Sequence, residues 1–422
     1  MLHLLIGGGI FVVTLAAIMF RPYRSDEALS AVIGAILMLI AGFVSLNEIA
    51  RVILGEWNTF GFFLGLVTIS AVAEEAGVFE SLANAAARWG KGKAQRLYVA
   101  VFAVGVVISV FLTNDATALI LTPVIYALVT RLRLPVLPFM FACTFIADTA
   151  SFVLPVSNPI NIIVLNTFGS SLGTFLHYLL LPSILAISLN VILFALLFRR
   201  DLTLDCDTHA SVAGAKDKRL LAICSAVLGL IAASYVIGLV LNLPLSFIAL
   251  GGAVLMIVAA TARRRFSPKL IARKISWPIF AFVGGMLVVV KAVDNLGLTA
   301  AFGNGLVQAA GGKSFWEVLL VTGGTALGAN LINNVPMSLV MVSALHGVNH
   351  ATSSYHSLPF AVMFGADLGP NLTTVGSLAT MLWLLILRRR GLEVSTLQYF
   401  KLGLMFVPVV IVLGSVLIWA QL

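Results

Sequence analysis

Three aspartates, Asp115, Asp148 and Asp367, stand in long apolar stretches of this chain, each close to asparagine, serine or threonine. Asn114 precedes Asp148 by 34 residues, and Asn333 precedes Asp367 by 34. FACTFIAD at Phe141 to Asp148 returns as FAVMFGAD at Phe360 to Asp367, and TNDA at Thr113 to Ala116 returns as INNV at Ile332 to Val335, both displaced by 219 residues. No Lys or Arg accompanies these segments to neutralise the carboxylates. Unpaired anions in apolar surroundings carry a severe desolvation penalty, so at least one must bind a proton or a cation part of the time. That is the chemistry of proton or sodium coupling. Asp148 and Asp367 are mates in the repeat and have an alternative role, holding the chain by accepting backbone N–H bonds. Asp115 has no acidic mate, since Asn334 occupies the matching position, and this makes it the first candidate for the proton carrier.

The elements that position these groups lie in a membrane. The 422-residue chain is 60% hydrophobic and 10% charged, with apolar runs near span length recurring throughout. Five full spans fall in each half, at about 2–20, 28–47, 58–77, 137–166 and 174–198, then about 220–240, 244–262, 277–296, 357–387 and 399–420. The first run lacks a basic start and a small-residue cleavage site, so it reads as a span and not a signal peptide. From Arg96 to Arg131 the apolar stretch is too long for one span and too short for two with a turn. It predicts a re-entrant hairpin at about 97–131, with Thr113, Asn114 and Asp115 at its tip. The repeat predicts a second at about 314–347, with Asn333 and Asn334 at its tip and Pro336 opening the departing arm.

An odd number of spans per unit turns the second unit upside down. The predicted fold class is therefore an all-α polytopic membrane protein of two inverted-topology repeats, each with five transmembrane helices plus one re-entrant hairpin. Residues 1–200 form the first repeat, 201–218 a cytoplasmic linker and 219–422 the second repeat. With both termini outside, 23 of the 26 basic residues fall on the cytoplasmic side; only Arg51, Lys291 and Lys313 fall elsewhere. That distribution satisfies the positive-inside rule and explains the net charge of +9 without nucleic acid.

The long segments at about 137–166 and 357–387 contain Pro155, Ser157, Asn158 and Pro159 in one, and Gly369, Pro370, Asn371, Thr373, Thr374 and Ser377 in the other. Proline inside a span removes helical hydrogen bonds, which predicts two discontinuous helices at the midplane with backbone facing a cavity. Small polar side chains can simply join helices. Four such clusters in matching positions favour a cavity instead. Thr113, Asn114, Asn158, Asn333, Asn334, Thr373, Thr374 and Ser377 are the candidate substrate-binding residues; Asp115, Asp148 and Asp367 are the candidate proton-coupling residues. Glu74, Glu75, Lys291 and Asp294 read as interfacial or scaffold residues, with Lys291 and Asp294 three apart and able to pair.

Cys143, Cys206 and Cys224 are odd in number and lack metal-ligand spacing, so neither a disulfide framework nor a metal site is expected, and Cys143 reads as a buried small hydrophobe. His346, His350 and His356 read as loop residues in preference to a metal site. No cofactor is expected.

At the polar stations, TNDATALILTPV (113–124), FIADTASFVLPVSNPINI (145–162), NNVPMSLV (333–340) and GADLGPNLTTVGSLATMLW (365–383) make the chain resemble the arsenite/antimonite efflux permeases of the ion transporter superfamily. With RWGKGK at 88–93 the similarity runs over nearly the whole chain. The resemblance implies a secondary transporter, not an enzyme, of the inner (cytoplasmic) membrane. It would export arsenite or antimonite in exchange for protons by alternating access, sometimes with a soluble ATPase subunit. Some relatives carry a cysteine just before Asp-Leu-Gly-Pro, where this chain has Ala366, so thiolate coordination there is ruled out. Recognition then rests on hydrogen bonds: near neutral pH arsenite is an uncharged triol that amides, hydroxyls and carboxylates can surround. Within the superfamily, a sodium/proton or other cation/proton antiporter, or an anion carrier, is the alternative. An intramembrane aspartyl protease is a third class, disfavoured by the lack of a Gly-x-Gly-Asp motif.

Overall fold

A computed structural model of the chain describes residues 2–20, 27–204, 217–241, 243–262, 272, 275, 277–346 and 355–422. The described residues form helices and connections, with no strand. In chain order the first eleven are α1 Leu2–Phe20, α2 Glu27–Ile40, α3 Leu46–Gly55, α4 Trp57–Glu75, α5 Val78–Gly90, α6 Ala94–Phe111, α7 Asn114–Ala116, α8 Thr122–Arg131, α9 Val136–Thr149, α10 Pro159–Phe168 and α11 Leu172–Leu197. Nine more follow: α12 Lys218–Val240, α13 Leu245–Ala262, α14 Pro278–Asn295, α15 Leu298–Ala309, α16 Ser314–Ile332, α17 Asn334–His346, α18 Leu358–Leu368, α19 Leu378–Arg389 and α20 Thr396–Trp419.

Nine of the described helices are long and apolar enough to cross a membrane: α1, α4, α6, α11, α12, α13, α14, α16 and α20. Their outward faces carry large apolar side chains such as Leu5, Leu196, Val240 and Phe247, a surface suited to lipid and ill suited to water. The chain is an integral membrane protein.

Helix packing crosses between the halves of the sequence. α4 lies along α13, and α14 lies along α2. Gly65 and Gly285 make these approaches possible: a Cβ at Gly65 would collide with the Ala249 backbone, and one at Gly285 would stand 2.8 Å from the Ala31 carbonyl carbon. A large apolar core surrounds α9, α11 and α20, where Phe141, Phe145, Phe194, Trp383, Tyr399 and Phe406 pack ring against ring. A smaller one joins α2, α10, α14 and α17 through Ala31, Ile163, Val283, Met286 and Leu339.

Two local expectations change. The second apolar run, read as a span over 28–47, is a 14-residue helix, Glu27–Ile40; the chain then turns at Gly42, where φ is +76°, and enters α3. Ser45 and Glu48 form a reciprocal capping box that fixes the start of α3. The stretches after Gly77 and Gly297, which fall between the predicted spans and hairpins, form the helices α5 and α15. Mixed polarity kept both below the apolar-run signal, and the left-handed glycine before each lets the chain re-enter a helix at once.

Candidate functional site

The site is built from two helix–helix junctions and two interrupted helices. α6 ends at Phe111, and Thr113 caps the next turn by accepting the Ala116 N–H at 3.1 Å. After α7, residues Thr117–Leu121 form a π-helical turn, an irregularity that recurs at functional sites. The Ser109 and Thr117 hydroxyls, 2.7 Å apart, tie the two sides of this junction together. At the second junction, α16 ends at Ile332 and Asn333 adopts φ +74°, a strained value for a residue with a Cβ. The Asn333 side-chain oxygen accepts the Val335 N–H at 3.3 Å, and the Asn334 N–H donates to the Gly376 carbonyl at 3.0 Å.

Both long segments are interrupted near Pro155 and Pro370. Residues 150–158 separate α9 from α10 and contain a 3-10 turn at Pro155–Ser157; residues 369–377 separate α18 from α19 and begin with a 3-10 turn at Gly369–Leu372. Asn158 caps α10 through its side-chain oxygen, which accepts the Ile160 N–H at 3.2 Å. Ser377 caps α19 by accepting the Thr380 N–H at 3.1 Å. Both caps face inward, so the positive ends of two helix dipoles point into the same region.

Each cap residue also reaches an aspartate in the opposite half of the sequence. The Asn158 amide donates to Asp367 Oδ1 at 2.6 Å, and the Ser377 hydroxyl donates to Asp148 Oδ2 at 3.2 Å. Thr380 donates to the same Asp148 oxygen at 3.3 Å, and Asn114 donates to Asp148 Oδ1 at 3.3 Å. Asp148 and Asp367 are each 1% exposed. They bind side-chain amides and hydroxyls, and not the backbone N–H groups of the alternative structural role. At an interruption the backbone donors turn toward the local caps, leaving side chains to reach across.

In front of these carboxylates lies a small cavity of about 30 Å³ lined by Asn114, Asp115, Asn158, Asn333, Asn334 and Ser377, with Phe63, Ile163, Phe282 and Val335 among its apolar walls. Six of the eleven residues singled out by sequence thus line one space. Asp148 and Asp367 stand behind that lining. Thr113 faces an adjoining cleft, which it shares with Asp115. Thr373 and Thr374 do not line the cavity: the Thr373 hydroxyl donates to Asn330 Oδ1 at 2.7 Å, while Thr374 is buried in the same connection. Steric need explains this, since the non-helical backbone after Gly369 requires a partner of its own and the Asn330 amide also donates to the Gly369 carbonyl at 2.8 Å.

Sequence reasoning missed Asn330, Asn161 and Thr380. Asn161 donates to the Ser151 carbonyl at 2.8 Å and so braces the first interruption. Each lies three residues from a residue already selected, one helical turn away, and that spacing was the available signal.

Among the described residues no group of three or more His, Cys, Asp or Glu is placed to hold a metal. His346 ends α17 stacked on Phe168, with ring centroids 4.8 Å apart, and His350 lies outside the described residues. Cys143 and Cys224 are buried free thiols, and Cys206 lies outside the described residues. Lys291 and Asp294 pair at 2.9 Å, as their spacing predicts, and Thr299 and Ser343 add donors to Asp294 at 2.8 and 2.7 Å. This cluster joins α14, α15 and α17 as scaffold.

Residues 6–420 match the family defined as the arsenical pump membrane protein, ArsB. This chain belongs to the arsenical pump membrane protein family. It is 33% identical to an arsenical pump membrane protein of Escherichia coli and 32% identical to that of Escherichia coli strain K12, each over 97% of both chains. An uncharacterized transporter of Mycobacterium tuberculosis is 28% identical over 87% of this chain and 86% of its own. Among solved structures, the Alcanivorax borkumensis YdaH transporter has a TM-score of 0.60 at 16% identity, covering 89% of each chain, which shows a shared fold. The amide-lined cavity of this family member is therefore set within a transporter fold.

Proposed function

We propose that this protein exports trivalent metalloid, as arsenite or antimonite, across the cytoplasmic membrane in exchange for protons, by alternating access around the cavity between the interrupted helices. The observation that carries the reading is the cavity itself: four amides, one hydroxyl and the Asp115 carboxylate converge there with no basic side chain. Such a lining can donate to and accept from an uncharged triol on several sides. It offers no cation to hold a carboxylate or phosphate substrate, and the family relationship points to arsenicals.

Helix lengths support a midplane location. Asp148 lies twelve residues beyond Val136, about 18 Å of helical rise, and Asp367 nine beyond Leu358, about 14 Å, each close to half of a hydrocarbon core of about 30 Å. The helix order from α4 to α11 recurs at nearly constant offset from α14 to α20, and this supports two repeats of opposite orientation with hairpins at Asn114 and Asn333.

In this mechanism Asp115 is the coupling group. A proton arriving from outside neutralises its carboxylate and weakens the acceptor side of the cavity. Release of that proton to the cytoplasm restores the acceptor and readies the site for metalloid. Asn114, Asn158, Asn333, Asn334 and Ser377 hold the triol. Asp148 and Asp367, beneath them, tie cavity geometry to the positions of both half-helices and would change those bonds on protonation.

Purified protein in liposomes tests the reading. Arsenite movement driven by an imposed pH gradient and indifferent to sodium is expected. Sodium-dependent proton movement without arsenite flux would replace it with cation/proton antiport.

A further inference from the structure

Asp148 and Asp367 occupy equivalent places in the repeat, yet their surroundings differ. Both oxygens of Asp148 are served by donors: Asn114 reaches Oδ1 at 3.3 Å, and Ser377 and Thr380 reach Oδ2 at 3.2 and 3.3 Å. Asp367 is served on one side alone. Its Oδ1 accepts the Asn158 amide at 2.6 Å, whereas its buried Oδ2 has no donor among the described residues.

The Asp367 carboxyl lies against the side chains of Ser151 and Asn161. Both spend a donor on the backbone: the Ser151 hydroxyl donates to the Asp148 carbonyl at 2.7 Å, and the Asn161 amide to the Ser151 carbonyl at 2.8 Å. Asn161 Oδ1 is itself a buried acceptor without a donor among the described residues. Two enclosed acceptors side by side cost stability unless a hydrogen stands between them. A carboxylic acid supplies it, because neutral aspartate donates from one oxygen and accepts at the other.

Charge argues the same way. The helices packed against α18 bring Glu317 on α16, His346 on α17, Tyr399 and Lys401 on α20, His177 and Tyr178 on α11, and Cys143 and Asp148 on α9, with no titratable side chain on α10. Lys401 is exposed, and the charge that acts on Asp367 is that of Asp148. Two neighbouring buried acids without a cation share one negative charge best when it sits on the acid with more donors, which is Asp148.

We infer that Asp367 is a resident carboxylic acid whose Oδ2 proton is donated to Asn161 Oδ1, with Asp148 as its ionised counterpart. Oδ1 of the neutral acid still accepts from Asn158, so one side chain at the end of α18 clasps both asparagines at the start of α10. The proton is part of the framework that holds the cavity. Within the proton-exchange reading above, on which this consequence rests, Asp115 is then the acid that exchanges.

Infrared spectroscopy of the purified full-length protein in lipid vesicles at neutral pH tests the assignment without any transport measurement, so its failure is distinct from failure of the exporter reading. With the aspartate carboxyl carbons isotope-labelled to separate them from glutamate, the wild type is expected to show the carbonyl stretch of protonated aspartic acid. Asp367→Asn is expected to fold and to lose a component of that signal that Asp115→Asn keeps. The amide copies the neutral acid, offering an oxygen to Asn158 and an N–H to Asn161. A wild type with no protonated-aspartate signal overturns the assignment, and so does a full signal in Asp367→Asn. Failure of Asp367→Asn to fold overturns it as well, since an amide at that position replaces a neutral acid bond for bond.

Discussion

The Asn158 amide donates to Asp367 Oδ1 across 2.6 Å, joining the N-terminal end of α10 to the C-terminal end of α18 over a separation of 209 residues. Ser377 and Asp148 make the reciprocal connection at 3.2 Å. Residues 158 and 377 differ by 219, as do 148 and 367, so the two bonds are counterparts. Each interrupted helix is thereby capped by a residue whose side chain also reads the acid of the other. Each acid therefore contacts the cap of the opposite half-helix directly, with no intervening side chain.

Replacing Asn158 with alanine removes both the cap of α10 and the donor to a buried acid. Loss of one partner from such a bond costs about 1–3 kcal/mol. The expected outcome is a lower thermal unfolding midpoint in detergent together with slower flux. Asp367→Asn should fold better than Asn158→Ala, because an amide at 367 still presents an oxygen to Asn158. An unchanged midpoint in Asn158→Ala would show that the bond contributes nothing.

Ser377 and Thr380 share Asp148 Oδ2, but Ser377 also caps α19. Ser377→Ala is therefore expected to destabilise more than Thr380→Ala, by about 1 kcal/mol for the lost cap. Thermal or denaturant unfolding of the two variants side by side measures the difference; equal loss would assign Ser377 no capping role.

Thr373 and Asn330 form a pair outside the cavity. A double-mutant cycle on Thr373→Ala and Asn330→Ala should give a coupling of about 0.5–1.5 kcal/mol in stability. Thr373→Ala should leave the KM for arsenite unchanged, whereas Asn114→Ala should raise it. A raised KM in folded Thr373→Ala would return the threonine to the binding site.

Much of this site is legible in the sequence because it is repeated. The constant offset marks Asn114 and Asn333, and Asp148 and Asp367, as equivalent stations, and the two proline-broken segments as counterparts, before any contact is known. The Lys291–Asp294 pair is legible for a different reason: its partners are neighbours on one helix, and local spacing fixes the contact. The crossed bonds from Asn158 and Ser377 are not legible, because a one-dimensional pattern shows equivalence and says nothing of which half a side chain faces. Thr373 misleads for the same reason, its polarity being spent on Asn330 and the non-helical backbone. α5 and α15 escape an apolar-run reading because their polarity is mixed, and the same reading makes α2 too long because the apolar run continues through the turn toward α3.

Asp115→Asn should give folded, membrane-inserted protein that has lost pH-driven export. The carboxylate has no hydrogen-bonding side chain among the described residues, so the amide removes proton exchange without breaking a structural contact. Arsenite exchange at equal pH is expected to persist. Full proton-driven transport in this variant would remove Asp115 as the carrier.

In the proposed mechanism metalloid and proton movements are obligatorily linked at the Asp115 cavity. The most direct test of this link is a pH indicator sealed inside liposomes holding the wild-type protein, with an arsenite gradient as the sole driving force and no sodium present. Arsenite moving down its gradient is expected to drive protons in the opposite direction, in fixed proportion to the arsenite transported. Arsenite flux with no accompanying proton movement would contradict it.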